Sequence, residues 1–117
     1  MDLDKAASVH LEWKLKLRGA INKQETMDVA TISKDNCCDL GKWLHGEGKT
    51  QFGRLATHTE CLQKHATFHV EAGKVASVIN AKKFPEAEAM LGSGTAFAQA
   101  SSGVGVAIIK LKKEANI

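Results

Sequence analysis

Along this chain apolar residues recur at alternating spacings of four and three, the signature of helices that each bury one stripe. The first run covers residues 2–22, where Ala6, His10, Trp13, Leu17 and Ala20 share a seam. His10 falls in that apolar line and off the charged face. Residues 22–36 are mixed and polar-interrupted, which predicts a long connection. A short helix should follow, capped by Asn36, with Asp39 in its first turn. It should stop at Gly46, where Gly46-Glu47-Gly48 forces a turn. Thr57-His58-Thr59-Glu60 reads as a capping box that opens a helix to about Asn80. The seam of that helix is His58, Leu62, His65, His69, Ala72, Ala76 and Ile79. Residues 80–85 read as a turn, with Pro85 in the first turn of a last helix. There Met90, Gly94, Phe97, Ser101, Val104, Ile108 and Leu111 hold the four-three spacing to the C-terminus. Gly92, Gly94, Gly103 and Gly105 each cost roughly 1 kcal/mol of helix propensity relative to Ala. Close approach to a neighbouring helix would justify them; a kink or fraying is the other explanation. Three long helices and one short one predict an all-α, four-helix-bundle-like fold, with residues 1–117 as a single domain.

Composition supports this picture and narrows it. A hydrophobic share of 44% with one Pro and no Tyr suits a helical globular chain. The net charge of +3 is spread over Lys14, Lys16, Arg18, Lys49, Arg54, Lys112 and Lys113. No basic strip is interleaved with aromatic side chains, so no nucleic-acid partner is expected. Lys110, Lys112 and Lys113 close a helix, where cations oppose the negative end of its dipole. Asp2, Asp4, Lys5 and Glu12 interrupt the first segment, so it reads as neither signal peptide nor membrane-inserted helix. With three cysteines, an odd number, the expectation is a reducing, cytoplasmic compartment where thiols act as ligands or redox centres.

The chemistry concentrates in a few side chains. His65 and His69 are four apart and so share one helix face. His10 faces inward from the first helix, and antiparallel packing could set it opposite them. Cys38, in the first turn of the short helix, meets partial positive charge that favours a thiolate. Three His and one Cys would close a tetrahedral zinc site. Other readings stay open from spacing alone: a buried histidine is commonly a hydrogen-bonded core residue, and a buried cysteine is commonly packing. His58, one heptad before His65, is a rival ligand, whereas His45 should face solvent. Trp13 and Trp43 read as core anchors. One catalytic class is excluded. In the zinc-hydrolase pattern His-Glu-x-x-His the general base directly follows the first His, and here Ala66 and Thr67 fill the places concerned.

The residues His10-Leu11-Glu12-Trp13, Cys38-Asp39-Leu40-Gly41-Lys42-Trp43 and His65-Ala66-Thr67-Phe68-His69 stand in an order that resembles the bacterial chemoreceptor zinc-binding domain family. That family's pattern is a His followed by Trp, then Cys-x-Leu/Phe-Gly-x-Trp, then His-x-x-x-His. The resemblance implies Zn2+ held by His10, Cys38, His65 and His69, a four-helix bundle, and a regulatory, non-enzymatic role. Cys37 and Cys61 have no counterpart in the pattern; Cys38 is kept as ligand because it precedes Leu40-Gly41-Lys42-Trp43. The resemblance further implies a signalling partner of chemoreceptor or diguanylate cyclase type. From the mixed ligand set, Cys38 is the expected redox-sensing residue, because zinc keeps its sulfur in the form that oxidants such as hypochlorous acid attack. Zinc sensing and oxidant sensing would then share one switch. The alternative is a purely structural zinc-stabilised module. A homodimer through outward Leu11, Leu15 and Ile109 is a further expectation.

Overall fold

The computed structural model describes residues 1–117, which form eight helices and no strand. In chain order these are α1 (Leu3–Leu11), α2 (Trp13–Lys23), α3 (Val29–Ile32), α4 (Asp39–His45), α5 (Glu47–Phe52), α6 (Ala56–Asn80), α7 (Phe84–Met90) and α8 (Ala96–Ala115). The all-α class is as predicted. The three long helical segments are α1–α2, α6 and α8, and four short helices are inserted between them.

The 25 residues of α6 make it about 37 Å long, most of the molecule's 43 Å longest dimension. It is the axis of the fold: α8 lies along it, α2, α3, α4, α5 and α7 also pack on it, and α1 packs on α8 and touches α4. Being surrounded, α6 buries more than one stripe. Beyond the predicted seam it also buries Cys61, Phe68, Gly73 and Val75. Phe68, Leu17, Leu40, Leu44, Leu91, Ile108 and Leu111 are fully buried in a single apolar cluster. Within this interior the buried polar side chains are four histidines, His10, His58, His65 and His69, and no charged side chain joins them. Ionised groups stay outside because desolvating one without a partner is expensive.

Several local expectations are corrected. The first helix is interrupted at Glu12, whose φ/ψ of −69°/−16° is closer to 3₁₀ than to α geometry. The connection over 22–36 contains the one-turn α3, opened by Asp28, whose carboxylate accepts from the Thr31 amide. Asn36 does not cap α4; Cys38 does, with extended backbone and its sulfur accepting from the Gly41 amide. Gly46 ends α4, but the chain re-enters a helix at Glu47. The capping box is absent, since α6 starts after Leu55 with no side-chain cap and Thr57 donates its hydroxyl to Glu114. The last helix is two helices. Gly94, at φ +77°, turns the chain between them, and Thr95 caps α8 by accepting from Ala98. Gly105 has open space where a Cβ would stand, so helix contact is not its reason. Trp13 and Trp43 are half-buried, flanking the core instead of anchoring its centre. No helix is long and apolar enough to cross a membrane.

Candidate metal centre

Four chemistry-bearing side chains from three separate helices meet beside the core. His10, near the end of α1, is carried inward by the Leu3-Ala6-His10 stripe that α1 buries. Cys38 sits at the start of α4, held there by Leu40 and Leu44 in the core. His65 and His69 stand one turn apart on α6. Their ligating atoms all lie within 4.8 Å of one another. His65 Nε2 is 3.1 Å from His10 Nε2 and 3.0 Å from His69 Nε2. Cys38 Sγ is 3.2, 3.6 and 3.8 Å from the Nε2 atoms of His65, His69 and His10.

The donor chemistry shows what these atoms require. His10 Nδ1 lies 2.7 Å from the Ala6 carbonyl and His69 Nδ1 lies 2.9 Å from that of Ile32. A carbonyl only accepts, so both rings carry their proton on Nδ1 and present a bare lone pair at Nε2. Two such lone pairs face His65 Nε2, which has at most one proton to offer. Two bare lone pairs, a third ring nitrogen and a sulfur around one point suit a cation. With ordinary zinc bond lengths, a tetrahedral N₃S site has N–N edges of about 3.3 Å and N–S edges of about 3.5 Å. The N–S separations bracket about 3.5 Å, and the N–N separations of 3.1 and 3.0 Å fall a few tenths of an ångström short of about 3.3 Å, so the residues fit zinc.

Electrostatics agree. Burial lowers the basicity of His10 and His69, and it drives His65 down to about 3, helped by repulsion from the other two rings. All three are neutral near pH 7, as metal ligands must be. Cys38 departs from the sequence expectation. Burial pushes its thiol up, outweighing the opposing Gly41 and Leu40 amides. The helix start alone therefore does not make the thiolate; a bound cation would.

Glycines make the convergence possible. A Cβ at Gly41 would run into the Asp35 carbonyl and come within 3.1 Å of the His65 ring. Gly41 therefore lets α4 lie flush on both the preceding loop and a histidine of the cluster. A Cβ at Gly48 would meet the Trp43 ring at 2.7 Å. Each residue of the predicted set is thus in the cluster, and the rivals are not. His58 is buried but lies 3.0 Å from the Leu44 carbonyl, pinning the end of α4 to α6. His45 is exposed, as predicted, and pairs with Asp35 at 2.8 Å. Cys37 is exposed; Cys61 is buried, its thiol pushed up to about 12 by burial.

The family described as chemoreceptor zinc-binding domain matches residues 10–76, a span that begins at His10 and takes in all four clustered side chains. The chain belongs to this family. No curated protein and no solved structure matches it. As a chemoreceptor zinc-binding domain, its cofactor is Zn2+. The matched span stops within α6, so α7 and α8, which cover the core, lie outside it. The sequence missed the acceptors that orient the rings, Ala6 and Ile32, because backbone carbonyls carry no residue-type signal. The close packing at Gly73 was missed as well; a glycine inside a helical pattern is a signal for it, but Gly105 carries the same signal and faces open space.

Proposed function

We propose that this chemoreceptor zinc-binding domain holds Zn2+ through His10, Cys38, His65 and His69 and works as a sensory module in bacterial signalling, with Cys38 as its reactive element. The observation that carries this reading is the unequal exposure of the four donors. The three rings are at most 2% exposed, whereas Cys38 is half-buried. His10 and Cys38 line a cavity of about 600 Å³ bounded by Lys5, Val9 and Leu40. Small molecules therefore meet sulfur first.

Bound zinc supplies the positive charge that keeps this sulfur a thiolate. The other chemistry belongs to the chain. A thiolate attacked by hypochlorous acid gives up two electrons to chlorine, yielding sulfenic acid and chloride, RS⁻ + HOCl → RSOH + Cl⁻. The oxidised sulfur is a poorer donor, and α4 loses its tether at Cys38 while the His58–Leu44 contact keeps the other end. A shift of α4 is then the output. The output partner is a signalling domain of chemoreceptor or cyclase type, and a symmetric dimer through Leu11, Leu15 and Ile109 completes the proposal, since all three are exposed.

A structural-module reading is favoured by the complete burial of the three rings. One experiment separates the two. Zinc-loaded protein receives a brief hypochlorite pulse, then peptide mass spectrometry and zinc-release measurement. The sensor reading expects Cys38 to oxidise with zinc release, and Cys38→Ser to bind zinc more weakly and not respond. Oxidation confined to exposed Cys37, with zinc retained, supports the structural module. Light scattering tests the dimer, and a monomer at micromolar concentration would remove it.

A further inference from the structure

We propose that residues 27–33 form an orienting strap for the metal site, and that Gly73 and Asn80 are the positioning residues that hold it against α6. The inference rests on the four-donor reading above and extends it to residues that touch no metal.

The strap is fastened at three points along α6. At its start, the Asn80 side chain accepts from the Met27 amide and donates to the Met27 carbonyl, both at 2.8 Å. This pair of hydrogen bonds to backbone fixes both position and direction. Farther along, Gly73 is buried against Ser33, and a Cβ there would collide with the Ser33 hydroxyl. The hydroxyl could rotate away, but Ser33 Cβ at 3.0 Å and Cα at 3.2 Å could not. At the third point the Ile32 carbonyl takes the Nδ1 proton of His69 at 2.9 Å. His69 and Gly73 are one helical turn apart on the same face of α6. The depth at which Ser33 settles on Gly73 therefore sets where the neighbouring Ile32 carbonyl meets the His69 ring. The Ile32 side chain is buried in the core, which leaves the strap little freedom to compensate.

The three rings differ in this respect. His10 is oriented by Ala6 from its own helix, one turn away. His65 Nδ1 is buried without any partner. His69 alone is oriented by a remote segment, so its geometry depends on tertiary packing that a substitution can shift. Partners of this kind fix a ligand ring's tautomer and direction, and losing one typically weakens metal binding by 10- to 100-fold.

The test compares Gly73→Ala and Asn80→Ala with wild type and with Gly105→Ala, whose site is open. The readouts are zinc affinity by chelator competition and ¹⁵N NMR of the histidine rings in zinc-loaded protein. Gly73→Ala should lower affinity about 10- to 100-fold and speed exchange of the His69 Nδ1 proton while leaving that of His10 unchanged. Adding Ser33→Gly should restore most of both. Asn80→Ala, at an exposed side chain, should show the same pattern more weakly and keeps the test decisive if Gly73→Ala does not fold. Folded variants with wild-type affinity and an unchanged His69 proton would overturn the strap. Failure of wild type to bind one zinc through three Nε2 atoms would instead overturn the underlying site reading.

Discussion

At the level of single residues, the site is a problem of polar atoms held in an apolar place. His65 shows it most sharply, fully buried, with one nitrogen among other acceptors and the other without a partner. Its folded-state pKa of about 3 lies below the 6.5 of an ordinary histidine. The folded state thus binds fewer protons than the unfolded chain, and stability is fullest above pH 6.5 and falls as pH drops toward 3. Between pH 7 and pH 5, His65 alone should remove about 2 kcal/mol from the metal-free protein. His10 and His69 act in the same direction, and protons also compete with zinc for these nitrogens. Urea unfolding of chelator-treated protein at the two pH values measures the loss, and His65→Gln should show a smaller one. Equal midpoints at both pH values would contradict the burial argument. The candidate donors were legible in sequence through the order of three motifs that resembles a family pattern; residue type and spacing alone left core readings open. The choice of Cys38 over Cys37 followed only from its place before Leu40-Gly41, and the structure adds a reason: Cys37 is exposed, outside the cluster.

Glycines divide by what the neighbouring element needs, a question on the scale of helices. Gly41 and Gly105 both sit in helices and read alike in sequence. Gly41 faces the Asp35 backbone and the His65 ring, neither able to retreat, whereas Gly105 faces nothing within 4 Å. Gly41→Ala should therefore destabilise by about 3 kcal/mol through overpacking and displace α4 from the site. Gly105→Ala should stabilise by about 0.5–1 kcal/mol through helix propensity. Thermal unfolding of the two variants tests both signs, and a stabilising Gly41→Ala would mean that α4 does not lie where it is described. Caps were the least legible feature. Asn36 is a better cap by residue type than Cys38, yet docking of Leu40 and Leu44 fixes where α4 begins. The Thr57 hydroxyl was likewise claimed by Glu114 from α8, a competitor that no local reading contains.

For the whole molecule, zinc bound at the four donors would tie α1, α4 and α6 together in addition to the apolar contacts that already dock them. The α6–α8 pair is joined by the apolar side chains Phe68, Phe97, Val104, Ile108 and Leu111. The seven-residue α4 and the four-residue α3 are too short to persist alone. Free zinc at about 1,000 times its dissociation constant should add roughly 4 kcal/mol to stability. On chelation, hydrogen exchange should rise in residues 27–45 and remain slow in the centres of α6 and α8. Uniform loss of protection would mean that the metal supports the whole fold instead of one side of it.

The amino-acid pattern by itself determined the helical class and most of each long seam, because these are written in residue type and spacing, and the order of its three motifs, through a family resemblance, singled out the four candidate donors. Packing decided the cap at Cys38 and the thiol's raised pKa. It also decided that the Ile32 carbonyl orients the His69 ring. Those features depend on what another helix brings within a few ångströms, and a linear order of side chains does not contain that information.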